Sequence, residues 1–214
     1  MSKPQTDIEI VVLSQEKANE AFALVCDEFT NGSELHNALK ITTDEYRDFL
    51  HDQFYRLIDQ GLSLIMIDKA GGNMLGCLIA ADFLGHETPA SQIPARFKPL
   101  SALLKQLETE YLKIRKLEPG QCMLVDLAVV SRQARGLGIY RKLREAAHIL
   151  AKKARFRFVV GELSSAATQH VCIDKMGHRV QAEIDYRAFE HDGGYPFAAI
   201  EQPTSIQLVE VEIG

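Results

Sequence analysis

A carboxylate and a pair of glycines in the middle of the chain are the residues best suited to chemistry. Asp126 is enclosed by apolar residues in the segment 124–130, where a charged group is seldom placed for solubility. Such a carboxylate could take a proton from a substrate, or it could be a structural acceptor for a nearby arginine or backbone amide. Gly136 and Gly138 follow this segment, and an amphipathic pattern starts at Ile139. The sequence therefore predicts a strand, a glycine loop and a helix in this order.

The glycine loop has the composition of an anion site. Glycine leaves no Cβ between backbone and ligand, and the first amides of the helix at Ile139 are unsatisfied, so a phosphate group fits there. The same window contains Arg132, Arg135, Arg141, Lys142 and Arg144. Because the whole chain has a net charge of -5, this local cluster indicates a phosphorylated small molecule rather than a long nucleic acid. A tight turn before a solvated helix face is the alternative, and a dinucleotide site fits poorly because its third glycine is missing.

The strand and loop resemble the acyl-CoA-binding motif of the GNAT-type N-acetyltransferases. An Asp-Leu-x-Val strand, here residues 126–129, precedes an Arg-Gly-x-Gly-Ile run, here residues 135–139. A further strand and helix follow, and the helix leads into Asp-Lys-Met-Gly-His at 174–178, where family members have a similar Glu-Lys-Leu-Gly-Phe. The resemblance implies acetyl-CoA as the co-substrate and no metal.

Two registers of the family's motif fit the loop. In one register Gln133 opens the motif, with Gly136 and Gly138 as its small residues. In the other, which we prefer, Arg135 opens the motif and Tyr140 occupies a position where the family has a small residue. In the preferred register, the coenzyme A site implied by the resemblance comprises Leu127, Ala128, Val129, Val130, Arg135, Gly136, Leu137, Gly138, Ile139 and Tyr140.

A weaker resemblance connects the chain to the arylalkylamine N-acyltransferases of the insect dopamine type. Glu28 with the phenylalanine after it, and Glu-Leu-His-Asn-Ala-Leu at 34–39, are similar to that group's Phe-Phe and Glu-Pro-Leu-Asn-x-x-Leu segments, although the proline is missing. This resemblance adds Glu34 to Asp126 as a candidate general base, with a solvated loop carboxylate as the alternative interpretation of Glu34. Glu28 and Glu162 are the fallback bases.

The general acid is expected near the helix that follows the next strand. The superfamily often uses a tyrosine in this helix, but the matching position here is Ile173. The arylalkylamine resemblance then implies Ser164 and Ser165, whose alternative role is to cap the helix predicted at 166–176. Tyr140 is a further option because it lies next to the glycine loop.

The resemblance implies an acetyl-CoA-dependent N-acetyltransferase in which a small primary amine attacks the thioester directly. The amine must lose a proton and the departing thiolate must gain one, which is why a base and an acid are needed. The implied acceptor is an arylalkylamine, with Phe29, Phe83 and Tyr186 as pocket residues that suit a core equally well. The alternatives are an acyl-CoA-binding sensor without turnover, motivated by the missing tyrosine, and transfer to a protein or peptide amine.

The remaining pattern predicts one α/β domain spanning 1–214, with its core at about 8–190 and a C-terminal strand at 205–213. The chain has 214 residues of which 46% are hydrophobic, enough for a full core. A mixed central sheet with helices on both faces is expected, because the predicted strands are apolar on both sides. The predicted strands are 8–13, 62–69, 74–83, a segment ending at 130, 156–163, 179–189 and 205–213. The predicted helices follow Ser14 and Thr42, run from Phe97 to Leu117, start at Ile139 and cover 166–176.

Further sequence features predict the surroundings of the protein. The four cysteines are Cys26, Cys77, Cys122 and Cys172; they lie far apart in apolar elements and indicate buried thiols in a cytoplasmic protein. No run approaches the ~20 apolar residues of a membrane span, and residues 1–7 are polar without an apolar targeting core. We expect no membrane partner. A monomer or a homodimer is expected, because an exposed final strand at 205–213 could pair with a second copy.

Overall fold

A computed structural model describes residues 7–213 of the chain. The strands within these residues are β1 (Ile8–Val12), β2 (Leu64–Asp68), β3 (Met74–Asp82), β4 (Cys122–Val130), β5 (Phe158–Leu163), β6 (Arg179–Asp185) and β7 (Ser205–Glu212). The helices are α1 (Gln15–Gly32), α2 (Glu34–Ala38), α3 (Thr43–Ile58), α4 (Lys98–Ile114), α5 (Ile139–Lys153) and α6 (Ala166–Gln169), and α6 continues as a π-helix over His170–Lys175. Residues 1–6 lie outside the described residues. The prediction that residues 1–7 contain no apolar targeting core falls mostly on this segment.

The helices and turns form where local chemistry favours them. Thr42 accepts a hydrogen bond from the backbone N–H of Glu45, and the Glu45 carboxylate accepts one from the Thr42 backbone, which makes a capping box for α3. The hairpin between β2 and β3 turns at Gly72, whose φ of +68° is in the left-handed region that glycine tolerates. Both features agree with the predicted strands 62–69 and 74–83 and with the predicted helix after Thr42.

The strands form one mixed sheet in the order β1-β2-β3-β4-β5-β7-β6. All neighbouring strands are antiparallel except β4 and β5, which are parallel and are joined by α5 on one face of the sheet. The prediction that 205–213 is an exposed strand is wrong, because β7 lies inside the sheet between β5 and β6. Both of its hydrogen-bonding edges are already occupied, so this strand cannot pair with a second copy in the way predicted.

Helices cover both faces of the sheet, as predicted. One face packs against α1, α3 and α4, and the apolar clusters on this side contain Phe54, Leu107 and Leu124. The other face packs against α5, whose Leu143 and Ala147 lie over β2, β3 and β4. The four cysteines are buried and unbridged, as predicted.

The structure differs from the sequence-based boundaries at three places. The long helix α4 ends at Ile114 rather than Leu117, because Arg115 leaves the helix to pair with Glu210 of β7 at 2.6 Å. Strand β6 ends at Asp185 rather than residue 189, because the Asp185 carboxylate accepts the next free backbone N–H groups and closes a turn. Helix α2, at Glu34–Ala38, was not predicted. Among the described helices, none is long and apolar enough to cross a membrane.

Candidate active site where two strands separate

The central feature of the candidate site is a gap that opens between β4 and β5. The ladder between these strands ends at the pair Val125 and Gly161, although β4 continues to Val130. On its other side, β4 remains paired with β3 as far as Val130. In the described part of the chain, the β5-facing edge of β4 therefore has no strand partner over residues 126–130, an open edge about 13 Å long. Backbone N–H and C=O groups along this edge are free to bind an extended ligand.

A β-bulge places Asp126 at the start of this gap. In the ladder with β3, Val125 pairs with Ala80 and Leu127 pairs with Ile79, so Asp126 is the extra residue. A bulge turns the strand and changes which face its side chains point to. Asp126 is half-buried, and burial raises the pKa of its carboxyl group.

The open edge of β4 leads directly into the glycine loop. Arg132–Ala134 form one 3-10 turn, and Gly136 and Gly138 follow with φ of +78° and +71°, respectively. Gly138 is the N-cap of α5 and supplies no side chain to the helix amides. The first N–H groups of a helix then remain available to an anion.

The arginine that opens the preferred motif is exposed and is paired with an acidic partner. The Arg135 guanidinium donates a hydrogen bond to the carboxylate of Glu28 on α1, and Arg132 lies 4.0 Å from the same carboxylate. The Glu28 side chain is only 10% exposed. Glu28 thus anchors the loop against α1. Gln133, which opens the other register, is exposed in the 3-10 turn.

The residues proposed for the general acid have clear local roles. Ser165 is the N-cap of α6, accepting a hydrogen bond from the backbone N–H of Thr168 at 3.2 Å. The Tyr140 hydroxyl lies 3.4 Å from Sγ of Cys172 in the π-helix, and burial raises the pKa of Tyr140. Ile173 packs beside them, while Ser164 is half-buried at the end of β5.

A second carboxyl group lies across the gap from Asp126. The last pair of the ladder between β4 and β5 is Val125 with Gly161. Asp126 and Glu162 are the next residues on the two strands, so the two acids lie on adjacent strands just beyond the paired region. Oε1 of Glu162 is buried without a hydrogen-bond partner in the described structure. Burial raises the pKa of Glu162 well above its usual value, and the charges of Glu108 and Asp126 raise it further.

A histidine and a third carboxylate complete this group. Nε2 of His86 lies 2.8 Å from Oε1 of Glu108 on α4, and both side chains are buried. Sequence reasoning missed these two residues. Glu108 lies on the buried face of α4, where a carboxylate is rare, and this was the one local signal that could have indicated it.

Glu34 lies apart from this group, at the first turn of α2. It is exposed and lines a surface depression of about 390 Å³, together with Ala38, Ala199, Ile200, Glu201 and Gln202. Next to it, His36 is buried between the rings of Phe29 and Tyr46, and burial lowers the pKa of His36 to about 4. The acidic residues Glu34 and Glu201 give the depression a negative charge.

The predicted aromatic acceptor pocket is not formed by its three residues together. Phe83 and Tyr186 are fully buried in the cluster under α4, whereas Phe29 packs in the cluster of α1 and α3. Within residues 7–213, no three His, Cys, Asp or Glu side chains are grouped so that they could hold a metal ion.

Comparison with known proteins identifies the fold. No family model matches the sequence, and no curated protein matches it either. The C-terminal condensation domain of Ebony, solved in complex with β-alanyl-dopamine, superposes with a TM-score of 0.88 at 17% identity over 97% of this chain and 100% of that chain. Arylalkylamine N-acetyltransferase 2 from Aedes aegypti superposes with a TM-score of 0.79 at 16% identity over the same shares of both chains.

The protein has the GNAT N-acetyltransferase fold. Polyamine N-acetyltransferase from Drosophila melanogaster, which forms N-acetylagmatine, is similar as well, with a TM-score of 0.76 at 14% identity over 96% of this chain and 100% of that chain. The resemblance inferred from residues 126–139 therefore agrees with the GNAT fold of the whole described chain.

Proposed function

We propose that the protein is an acetyl-CoA-dependent N-acetyltransferase that acylates the primary amine of a small molecule by direct attack on the thioester. The observation that carries this proposal is the gap between β4 and β5, which begins at the half-buried Asp126 and ends at the glycine loop. A thioester carrier with a diphosphate at one end and an extended arm matches this order of features.

In the proposed complex, the backbone amides of residues 136–140 bind the diphosphate at the N-terminus of α5. The extended arm hydrogen-bonds along the open edge of β4, between Leu127 and Val130. This position brings the thioester to Asp126, where free backbone N–H groups can polarise the carbonyl. Leu127 and Val129 point their side chains into the α1–α3 cluster, while Ala128 and Val130 point towards α5, so these four residues act through their backbone.

The amine is proposed to lose its proton to the Asp126 carboxylate. Burial raises the pKa of Asp126, and a base is most efficient when its pKa approaches the working pH. Glu34 is the alternative base, and its acidic depression suits a cationic amine. Ser164 remains a candidate acid, whereas Ser165 is occupied as a helix cap in this structure.

A small amine is favoured over a protein as the acceptor. The structures to which this chain is similar include enzymes named for arylalkylamines and a polyamine, and one that holds β-alanyl-dopamine. Because that complex contains a β-alanyl group, a donor with an acyl group larger than acetyl should also be tested. The cytoplasmic location is a proposal that rests on the buried thiols.

The direct test combines calorimetric titration with a thiol-release assay. The protein is titrated with coenzyme A, then incubated with acetyl-CoA or β-alanyl-CoA and tyramine, agmatine or a lysine-containing peptide. Binding together with thiol release that depends on tyramine or agmatine supports the proposal. Binding without release for any amine would instead favour the sensor, and release only with the peptide would favour a protein N-acetyltransferase.

A further inference from the structure

The pair His86 and Glu108 has a defined protonation state because of what surrounds the imidazole ring. Nδ1 of His86 lies 2.6 Å from the backbone carbonyl of Phe83, which can only accept, so Nδ1 must carry a proton. Nε2 faces Oε1 of Glu108 at 2.8 Å, and one more proton lies in that hydrogen bond. Burial alone would lower the pKa of His86, but the hydrogen bond to Glu108 and the charges of Asp126 and Glu108 raise it to about 9. At neutral pH the ring is therefore a buried cation.

The local sequence explains how His86 reaches this position. Asp82, at the end of β3, accepts a hydrogen bond from the backbone N–H of Leu84 and starts a 3-10 turn at Phe83–Gly85. This turn reverses the chain and places His86 against the sheet-facing side of α4, where Glu108 lies. The position is fixed by backbone and side-chain contacts, with His86 only 6% exposed.

The charge on His86 interacts electrostatically with two carboxyl groups, Asp126 and Glu162, that cannot easily be ionised together. Asp126 and Glu162 stand on adjacent strands beyond the last paired residues. Asp126 also interacts with the charges of Glu108, His86 and Arg56, and with the hydroxyl of Tyr46. Glu162 has no basic hydrogen-bond partner, and its Oε1 is unpaired in the described structure. Like charges in a shared low-dielectric site favour a state in which one of the two acids keeps its proton.

We propose that the buried His86–Glu108 pair positions the two carboxyl groups at the gap so that Glu162 holds a proton while Asp126 is ionised. Glu162 is then the acid that protonates the leaving thiolate. This inference rests on the proposed function and names a group for the role left open by Ile173. His86 and Glu108 are positioning residues, because they act through the carboxyl groups and not on the substrate.

The proposed step balances in atoms and electrons. The amine nitrogen forms the C–N bond with its lone pair, and the C–S bond breaks with its electron pair staying on sulfur. The proton lost by nitrogen goes to the Asp126 carboxylate, and the proton of the Glu162 carboxyl group goes to sulfur. Transfer of the new proton from Asp126 to Glu162 restores the starting state, so no further reactant is needed.

The first test is independent of turnover. Infrared spectroscopy at pH 7 is expected to show the carbonyl band of a buried protonated carboxyl group in the wild type and its loss in Glu162→Gln. If Glu162→Gln does not fold, Asp126→Asn is used to assign the band instead. Loss of the negative charge of Asp126 lowers the pKa of Glu162, so the carbonyl band should disappear at a lower pH than in the wild type. Absence of the band from the wild type overturns the inference.

The second test uses acyl donors with different leaving groups. Glu162→Gln is expected to lower kcat with acetyl-CoA about a hundredfold, as for loss of an acid catalyst, but to change turnover of p-nitrophenyl acetate less than about threefold, because nitrophenolate leaves without a proton. Equal losses with both donors would contradict a role in protonating the thiolate. Glu110→Gln is the matched control on α4, since Glu110 is paired with Lys113 on the outer surface.

The third test separates positioning from a structural role by pH. Without the His86 charge the pKa of Asp126 rises, so His86→Gln is expected to lower kcat/KM about tenfold at pH 6 and less than about threefold at pH 9. A loss of equal size at every pH would indicate a structural role and overturn this part of the inference. An inactive wild type would overturn the proposed function and the proton transfer together, whereas an active wild type without the infrared band overturns the inference alone.

Discussion

Asp126 combines an unusual backbone position with an unusual environment. It is the extra residue of a bulge and the first residue of β4 beyond the ladder with β5. Its carboxyl group interacts electrostatically with His86, Glu108 and Glu162. The Asp126 carboxylate is suited to accept a proton, because burial raises its pKa while the side chain stays at the gap.

Replacing Asp126 tests its proposed role as the base. Asp126→Asn keeps the shape of the side chain and removes its ability to accept a proton, so kcat with acetyl-CoA and the preferred amine is expected to fall about a hundredfold or more. The matched control is Asp52→Asn on the exposed surface of α3, which should leave kcat unchanged. Because burial raises the pKa of Asp126, wild-type kcat/KM should decline with falling pH at a higher pH than for a free aspartate. An active Asp126→Asn variant would transfer the role of base to Glu34.

The glycine loop gives a second prediction at the scale of single residues. Gly138→Asp places a negative charge at the N-terminus of α5, where no protein atom lies within 4 Å of an added Cβ. Coenzyme A binding, measured by calorimetry, should therefore be lost while the protein stays folded.

The matched control for this variant is Gly61→Asp. Gly61 has a similar φ of +69° and equally open surroundings, but it lies in the turn between α3 and β2 at the opposite end of the sheet. Both variants suffer the same backbone strain, so only the position of the charge differs. If Gly138→Asp retained wild-type affinity, the loop would not be part of the coenzyme A site.

The sequence predicts some of these residues and not others for a physical reason. Asp126 and Gly138 stand out locally, because a charge interrupts an apolar strand and a glycine precedes a helix. His86 and Glu108 are 22 residues apart in sequence and acquire meaning only when a turn and a helix bring them together. No local pattern indicates that contact.

At the scale of elements, the close approach of α5 to β3 holds the glycine loop in place. Gly76 lies opposite Val130 in the ladder of β3 and β4, beneath the first turn of α5. A Cβ at Gly76 would lie 2.7 Å from the backbone oxygen of Val129 and 3.1 Å from Cγ2 of Ile139. The absence of a side chain therefore allows the helix to start directly at the end of the open edge.

This packing predicts that Gly76→Ala is destabilising. The clash involves a backbone oxygen that cannot move without distorting β4, so the free energy of unfolding should fall by about 2 kcal/mol, and coenzyme A affinity should fall with it. Gly85→Ala is the matched control, because its Cβ would meet its nearest neighbour, Cβ of Asp82, at an ordinary 3.9 Å. Chemical denaturation of both variants measures the difference. Equal stability of the two variants would contradict the close-packing argument.

Element types were predictable from sequence, but their order in space was not. Local sequence patterns indicated the helices after Ser14 and Thr42, which are α1 and α3, and the strands β2 and β3. The placement of β7 between β5 and β6 depends on pairing over long distances, and its alternating pattern is compatible with an edge strand as well. The gap between β4 and β5 is a consequence of the same long-range order.

At the scale of the whole molecule, the buried cation His86 links stability to pH. The pKa of His86 is raised from 6.5 to about 9 in the folded protein. Below pH 6.5 the histidine is protonated in both the folded and unfolded states, and its stabilising contribution is complete. Between pH 6.5 and 9 only the folded state keeps the proton, so the contribution is lost as the pH rises.

His86→Gln makes this linkage measurable. The difference in free energy of unfolding between wild type and variant should shrink by about 3 kcal/mol between pH 6.5 and 9, and should be constant just below pH 6.5. His51→Gln is the matched control, since His51 lies exposed on α3 beside Asp52 and is not part of the buried pair. A difference for His86→Gln that is independent of pH would show that the ring is not a cation in the folded protein.

The most direct test of the central claim is a crystal structure of the protein with acetyl-CoA. We expect the diphosphate on the backbone amides of residues 136–140, the extended arm along residues 127–130 of β4, and the sulfur in the gap between Asp126 and Glu162. Coenzyme A bound elsewhere, or failure to bind at millimolar concentration, would contradict the assignment of this gap as the active site.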